Sequence, residues 1–203
     1  MQQIKNIVFD FGCVLVDLDK HRCIHALNAI GAAPISVYVD ECRQEDLFHD
    51  LETGTSTVSQ FCAEVRRKSP GCKATDADIC AAWGALLTGI PARRIEALLR
   101  LRRHYRLFLL SNTNEIHWQK AVADFFPYQG HQVEDYFERI YLSYRMHLVK
   151  PDARIFTTML GDAKIEADET LFIDDSPANC AAARQQGIHA MHSPTGDYWI
   201  DRI

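Results

Sequence analysis

The chain has 203 residues, 47% of them hydrophobic and 24% charged, and a formal net charge of -5. Those proportions are ordinary for a folded globular protein and exclude a disordered or low-complexity chain. The negative balance argues against a nucleic-acid partner, which needs a concentrated basic surface, and no run of about 18 apolar residues is available to cross a membrane.

The first predicted strand runs from Lys5 to Asp10, through Ile7-Val8-Phe9. The segment before it has no signal-peptide apolar core, which predicts a cytoplasmic protein. The next comparable apolar run is not met until Arg106 to Ser111, so the interval reads as an insertion. Its content is helical: apolar positions recur through His21 to Ile30, Ser36 to Leu51, Val58 to Val65 and Asp76 to Leu87, broken by Gly31, Gly54 and Ser69-Pro70-Gly71. Thr57 followed by Gln60 has the form of a capping box. The arginines from Arg93 to Arg106 alternate with Ile95, Leu98 and Leu99 at helical spacing and predict a solvated helix face.

Beyond Pro91 the pattern alternates. Strands are expected at Arg106 to Ser111, Arg139 to Ser143, Thr170 to Asp174 and Ile188 to Met191. Helices are expected near Glu115 to Phe125, Asp152 to Leu160 and Pro177 to Gln186, the last closed by Gly187. This is the pattern of an α/β fold with a doubly wound parallel sheet and a small inserted helical cap. The expected division is a core of residues 1–16 and 92–203 and a cap of residues 17–91.

Strands buried on both faces carry short polar clusters at their carboxyl ends: Asp10 after the first, Ser111-Asn112 after the second, Asp174-Asp175 after Leu171-Phe172-Ile173. Lys150 stands before Pro151. In open α/β sheets ligands gather beyond those strand ends, so residues distant in sequence should meet there.

The order of these clusters resembles the haloacid dehalogenase superfamily. The likeness is strongest to the small-cap sugar-phosphate phosphatases and epoxide-hydrolase amino-terminal domains, through Phe9-Asp10-Phe11-Gly12, Leu110-Ser111-Asn112-Thr113-Asn114, Lys150-Pro151-Asp152 and Phe172-Ile173-Asp174-Asp175-Ser176. The resemblance implies a magnesium-dependent phosphatase of a small phosphorylated metabolite, a sugar phosphate, with Asp10 as the nucleophile that forms an aspartyl-phosphate. It implies magnesium ligands from Asp10, the Gly12 carbonyl and Asp175, with Asp174 assisting through water. Ser111, Asn112 and Lys150 would hold the phosphoryl group, and Lys150 would offset the repulsion among the carboxylates. Ser176 before Pro177 reads as an ordinary helix cap.

One departure stands out. Most phosphatases of the superfamily carry a second Asp two residues after the nucleophile as general acid, and here that position is Gly12. Two expectations follow: leaving groups of low pKa, such as a sugar 1-phosphate, are favoured, and a phosphate-binding or regulatory protein with weakened turnover is the alternative from another class. A metal-free dehalogenase is a further alternative, in which the pair Asp174-Asp175 would have no use. A second register, Asp17-Leu18-Asp19 after Val14-Leu15-Val16, competes for the nucleophile.

Seven cysteines, including Cys13 near Asp10, show no paired metal or redox spacing and read as reduced, mostly buried thiols. Glu52-Thr53-Gly54-Thr55, Trp83 and His117-Trp118 are substrate-facing candidates whose commoner role is structural.

Overall fold

Side chains along a strand alternate between its two faces, so a strand buried along its whole length needs a layer on each side. Strand β1 (Asn6–Phe9) is such a strand. Ile7 and Phe9 enter one apolar cluster and Val8 enters another. The computed structural model describes residues 3–40 and 47–203.

After β1 come β2 (Asp17–Leu18), helices α1 (Lys20–Ala29), α2 (Ala33–Asp40), α3 (Leu47–Glu52), α4 (Val58–Lys68) and α5 (Asp76–Gly84), and then β3 (Leu87–Gly89). The second half runs α6 (Ala92–Leu101), β4 (Arg106–Ser111), α7 (Glu115–Asp124), α8 (Val133–Tyr136), β5 (Arg139–Leu142), α9 (Ser143–Met146), α10 (Ala153–Ala163), β6 (Thr170–Asp174), α11 (Pro177–Gln185) and β7 (His189–His192).

The main sheet has the order β5-β4-β1-β6-β7, and every neighbouring pair is parallel. This is the doubly wound α/β architecture expected from the alternation. Its register fixes the functional end: Phe9 lies opposite Leu109 of β4 and Ile173 of β6. One step further on, Asp10, Leu110 and Asp174 therefore leave the sheet side by side. The Asp10 amide still donates to the Ile173 carbonyl at 2.9 Å, which holds the strand straight to that point.

Helices α1 to α5 share a separate apolar cluster built around Leu27, Ile35, Phe48, Phe61, Val65 and Trp83. The capping box at Thr57 and Gln60 is present, and a second one, unforeseen, joins Thr75 to Asp78. Of the helix expected from Ser36 to Leu51, α2 and α3 occupy the two ends, and residues 41–46, with Cys42, lie outside the described residues.

Two expectations are corrected. The helix expected from Asp76 to Leu87 stops at Gly84, and Leu87 instead begins β3, which pairs antiparallel with β2. This two-stranded ribbon frames the start and finish of the helical insertion. Strands of two and three residues are too short to show a period-2 pattern, so the sequence hid them. The second correction concerns Arg94, which is buried at 3% exposure and not part of a solvated face. Its guanidinium donates to the Leu15 carbonyl at 2.9 Å, Asp17 at 2.7 Å and Asp197 at 3.0 Å. Asp17 is thus held by Arg94 beside the ribbon.

Candidate active site

Lys150 joins the strand ends. Its side chain is 1% exposed, and Nζ donates to Asp10 Oδ1 at 2.7 Å, Asp174 Oδ2 at 2.6 Å and the Leu110 carbonyl at 2.9 Å. An ammonium has three donors, and all three are used. Burial works against this charge, but the Asp10 and Asp174 carboxylates outweigh it and hold the lysine above its ordinary pKa.

Asp174 is equally saturated. Besides Lys150, Oδ1 accepts from the Ser176 amide at 2.8 Å and the Asn179 side chain at 3.0 Å, and Oδ2 accepts from Asn179 at 3.2 Å. Ser176 caps α11 with its hydroxyl, as expected, and so fixes the turn that brings its own amide to Asp174. Asn179 was not singled out from sequence. An asparagine in a helix's first turn looks like a surface residue until the fold sets it over the strand end.

Asp10, Asp174 and Asp175 each offer a carboxylate oxygen within 4.8 Å of the others. Three carboxylates face one ammonium, leaving the site short of positive charge. The imbalance marks the acids: burial raises Asp10 to about 7 despite the opposing pull of Lys150, with repulsion from Asp174 adding to the rise. Asp175 is raised as well, first by burial and then by Asp174. A hard divalent cation with oxygen ligands suits this donor set. Because the oxygens of Asp174 are taken, Asp10 and Asp175 are the side chains free to touch such an ion.

Ser111 and Asn112 arrive at the end of β4, beside β1. Ser111 is 1% exposed, and its hydroxyl lies 3.3 Å from the Asn112 carbonyl. The Asn112 side chain does something the sequence did not suggest. Its amide donates to the Lys150 carbonyl at 2.9 Å and its oxygen accepts from the Lys150 amide at 2.8 Å. That reciprocal clamp sets the backbone from which the lysine side chain rises. The Asn112 side chain is therefore committed to the Lys150 backbone.

A cleft of about 430 Å³ opens here, lined by Asp10, Gly12, Cys13, Asn112, Lys150 and Asp175 among others. Gly12 belongs to the tight turn after β1, where the Cys13 amide returns to the Val16 carbonyl at 2.9 Å. A Cβ built on Gly12 would meet only Leu18 Cδ1, at 3.6 Å. Burial, together with the Asp175 and Asp10 charges, pushes the Cys13 thiol up to about 11, which suppresses the thiolate a nucleophile would need.

The aromatic candidates have packing roles. Trp118 is buried against Phe11 and Phe126. His117 is buried between Asn114, whose side-chain nitrogen is 3.2 Å from Nδ1, and the Trp83 carbonyl, 3.1 Å from Nε2.

Comparison with known proteins places this geometry. A family model described as haloacid dehalogenase-like hydrolase matches residues 4–187. A D-ribitol-5-phosphate phosphatase of Bacteroides thetaiotaomicron is 32% identical over 200 residues, covering 98% of this chain and 97% of that protein. A haloacid dehalogenase family enzyme from the same organism, solved in complex with magnesium and inorganic phosphate, superposes with a TM-score of 0.91 at 40% identity, covering 97% of both chains. A hydrolase of this kind from Porphyromonas gingivalis superposes with a TM-score of 0.89 at 37% identity, over 99% of this chain and 96% of that one.

Proposed function

Since the chain belongs to the haloacid dehalogenase-like hydrolase family, we propose that it is a magnesium-dependent phosphatase acting on a small phosphorylated metabolite, a sugar or sugar-alcohol phosphate. The observation that carries this reading is the convergence of Asp10, Asp174 and Asp175 within 4.8 Å around a buried lysine at the carboxyl end of the sheet. The relatives support it: one is named for D-ribitol 5-phosphate, and another was solved with magnesium and phosphate.

In this reading the Asp10 carboxylate attacks phosphorus, the bond to the substrate oxygen breaks, and that oxygen leaves with its electron pair and takes a proton from water. Water then attacks the aspartyl-phosphate at phosphorus, returning the carboxylate and releasing inorganic phosphate. Splitting the displacement in two lowers each barrier. Asp10, the Gly12 carbonyl and Asp175 would hold magnesium, with Asp174 acting through water. When bound, the ion supplies the positive charge that lets one anion approach another.

Lys150 keeps Asp10 and Asp174 together and faces the incoming phosphoryl group. Asn112 keeps Lys150 in place, while Ser111 stands ready for phosphoryl oxygens. Residues 17–91 act as the cap over this end of the sheet, and we place the protein in the cytoplasm, consistent with its free thiols.

An acidic pair is of no use to metal-free attack on carbon, which disfavours the dehalogenase alternative. The binding-only alternative makes an opposite forecast. With magnesium present, the protein should release phosphate from p-nitrophenyl phosphate, and Asp10→Asn should reduce that release to background. If Asp10→Asn retains the wild-type rate, Asp10 is not the nucleophile and this reading is wrong.

A further inference from the structure

The fully buried carboxylates among the described residues are answered by a partner. Asp10 and Asp174 share Lys150. Glu52, the last residue of α3, is half-buried. Among the described residues its carboxylate has no hydrogen-bond or ion-pair partner, and burial alone raises it to about 7. A desolvated acid without a partner is costly to the fold, and such groups gather where a ligand completes them.

The backbone of Glu52 shows which place this is. Its carbonyl accepts from the Ser143 hydroxyl at 2.7 Å, and the same hydroxyl accepts from the Thr113 amide at 3.0 Å. Thr113 lies two residues beyond Ser111, in the turn that closes β4. His147 Nδ1 stands 2.9 Å from the Thr53 carbonyl. Gly54, with φ of +69°, lies so close to the core that a Cβ there would fall 2.1 Å from the Tyr144 carbonyl oxygen. The strand of cap chain from Glu52 to Gly54 is thus seated on the core at the sheet end that carries Asp10 and Lys150.

A second unfilled group belongs to the same seam. Phe48 lies one turn before Glu52 on α3, so the two share a helix face. The Phe48 ring is 4.3 Å from Trp83, whose ring stacks on His117 of the core at 4.7 Å. Trp83 is 6% exposed, and its indole N–H is buried with no partner among the described residues. The cap therefore brings an unused acceptor, Glu52, to the place where it meets the turn after β4.

We propose that Glu52 is a specificity-determining residue whose carboxylate accepts hydrogen bonds from hydroxyl groups on the carbon chain of the substrate. The inference rests on the phosphatase reading and deepens it: Lys150 and Asp10 handle the phosphoryl group, and Glu52 reads what is attached to it. A site built around hydroxyls discriminates against a molecule that lacks them, because its own polar group is then left bare.

The test compares two substrates with saturating magnesium, D-ribitol 5-phosphate, which has the hydroxyls, and p-nitrophenyl phosphate, which has none. For both Glu52→Ala and the nearly isosteric Glu52→Gln, the ratio of kcat/KM for the polyol phosphate to that for the aryl phosphate should fall, by about tenfold or more for Glu52→Ala, chiefly through KM, as expected for a lost hydrogen bond to a charged group. If kcat/KM falls by one common factor on both substrates, or on neither, Glu52 does not read hydroxyls and the inference is overturned. Should Glu52→Ala fail to fold, Glu52→Gln keeps the side-chain volume and gives the same comparison. If the unmutated protein releases phosphate from neither substrate, the phosphatase reading fails and takes this inference with it, a result distinct from equal loss.

Discussion

Position 12 is a glycine with room for a carboxyl. Nothing but Leu18 Cδ1, at 3.6 Å, would touch a Cβ there, which is ordinary van der Waals contact. Gly12 also lines the cleft beside Asp10. Gly12→Asp should therefore fold and place an acid next to the leaving oxygen. General acids contribute about 10²- to 10⁴-fold, and most where the leaving group is a poor one. D-ribitol 5-phosphate loses a primary alkoxide, whereas p-nitrophenyl phosphate loses a stable phenolate. Gly12→Asp should raise kcat on the former by about 10²-fold relative to the latter. The check is a pair of steady-state kinetic series, and an unaltered ratio would mean that the proton already arrives from another group. The missing acid was visible in the sequence because the position is defined by its distance from Asp10. The role of Asn112 was not: a side-chain amide after a strand looks like a phosphate donor. Only the fold brings both the N–H and the carbonyl of Lys150 to its two ends.

At the scale of elements, the junction of α5 with α7 carries a titratable group that the strands do not. His117 is buried on α7, and burial depresses its pKa to about 4, against a mild opposing pull from the Trp83 carbonyl. A histidine depressed in the folded state contributes stability above its unfolded value of about 6.5. As pH falls from there towards 4, the unfolded chain takes up the proton first and that stability is lost. At about 1.4 kcal/mol per unit, the loss is on the order of 3 kcal/mol. In urea unfolding at pH 7, 5.5 and 4, the wild type should weaken more steeply than His117→Gln, the difference approaching that size at pH 4. Parallel curves would remove His117 from the account. The sequence showed His117-Trp118 as an aromatic pair after the second motif but could not distinguish a ligand-facing histidine from one that fastens a helix. Its two partners, Asn114 and the Trp83 carbonyl, come from different elements. The β2–β3 ribbon was hidden for a related reason: Asp17–Leu18 pairs with a segment some seventy residues later, and neither piece has a pattern of its own.

For the whole molecule, the five-stranded order explains why so much of the site could be read without coordinates. Asp10, Ser111 and Asp174 end three adjacent parallel strands, so any sequence in which those apolar runs form one sheet must bring them together. What sequence could not give was how completely Lys150 is already engaged. Three carboxylates within 4.8 Å of one another are countered by a lysine that is already fully hydrogen-bonded, so folding concentrates negative charge that the unfolded chain keeps apart. A divalent cation that binds the folded site should therefore act as a stabiliser of the whole chain. At a concentration one hundred times its dissociation constant it contributes about 2.7 kcal/mol. For a chain of this size each kcal/mol moves the midpoint by about 2–4 °C. Magnesium should thus raise Tm by about 5–10 °C in differential scanning fluorimetry, and a chelator should reverse the gain. Asp175→Asn tests the location of the ion, because it removes the acid whose oxygens are least committed to other partners while leaving Lys150, Asp10 and Asp174 in place. Its magnesium-induced rise should shrink to near zero, while its midpoint without magnesium equals or exceeds that of the wild type, one repelling charge having been removed. A full rise in the variant would put the cation elsewhere, and the charge deficit at the strand ends would then need a different answer.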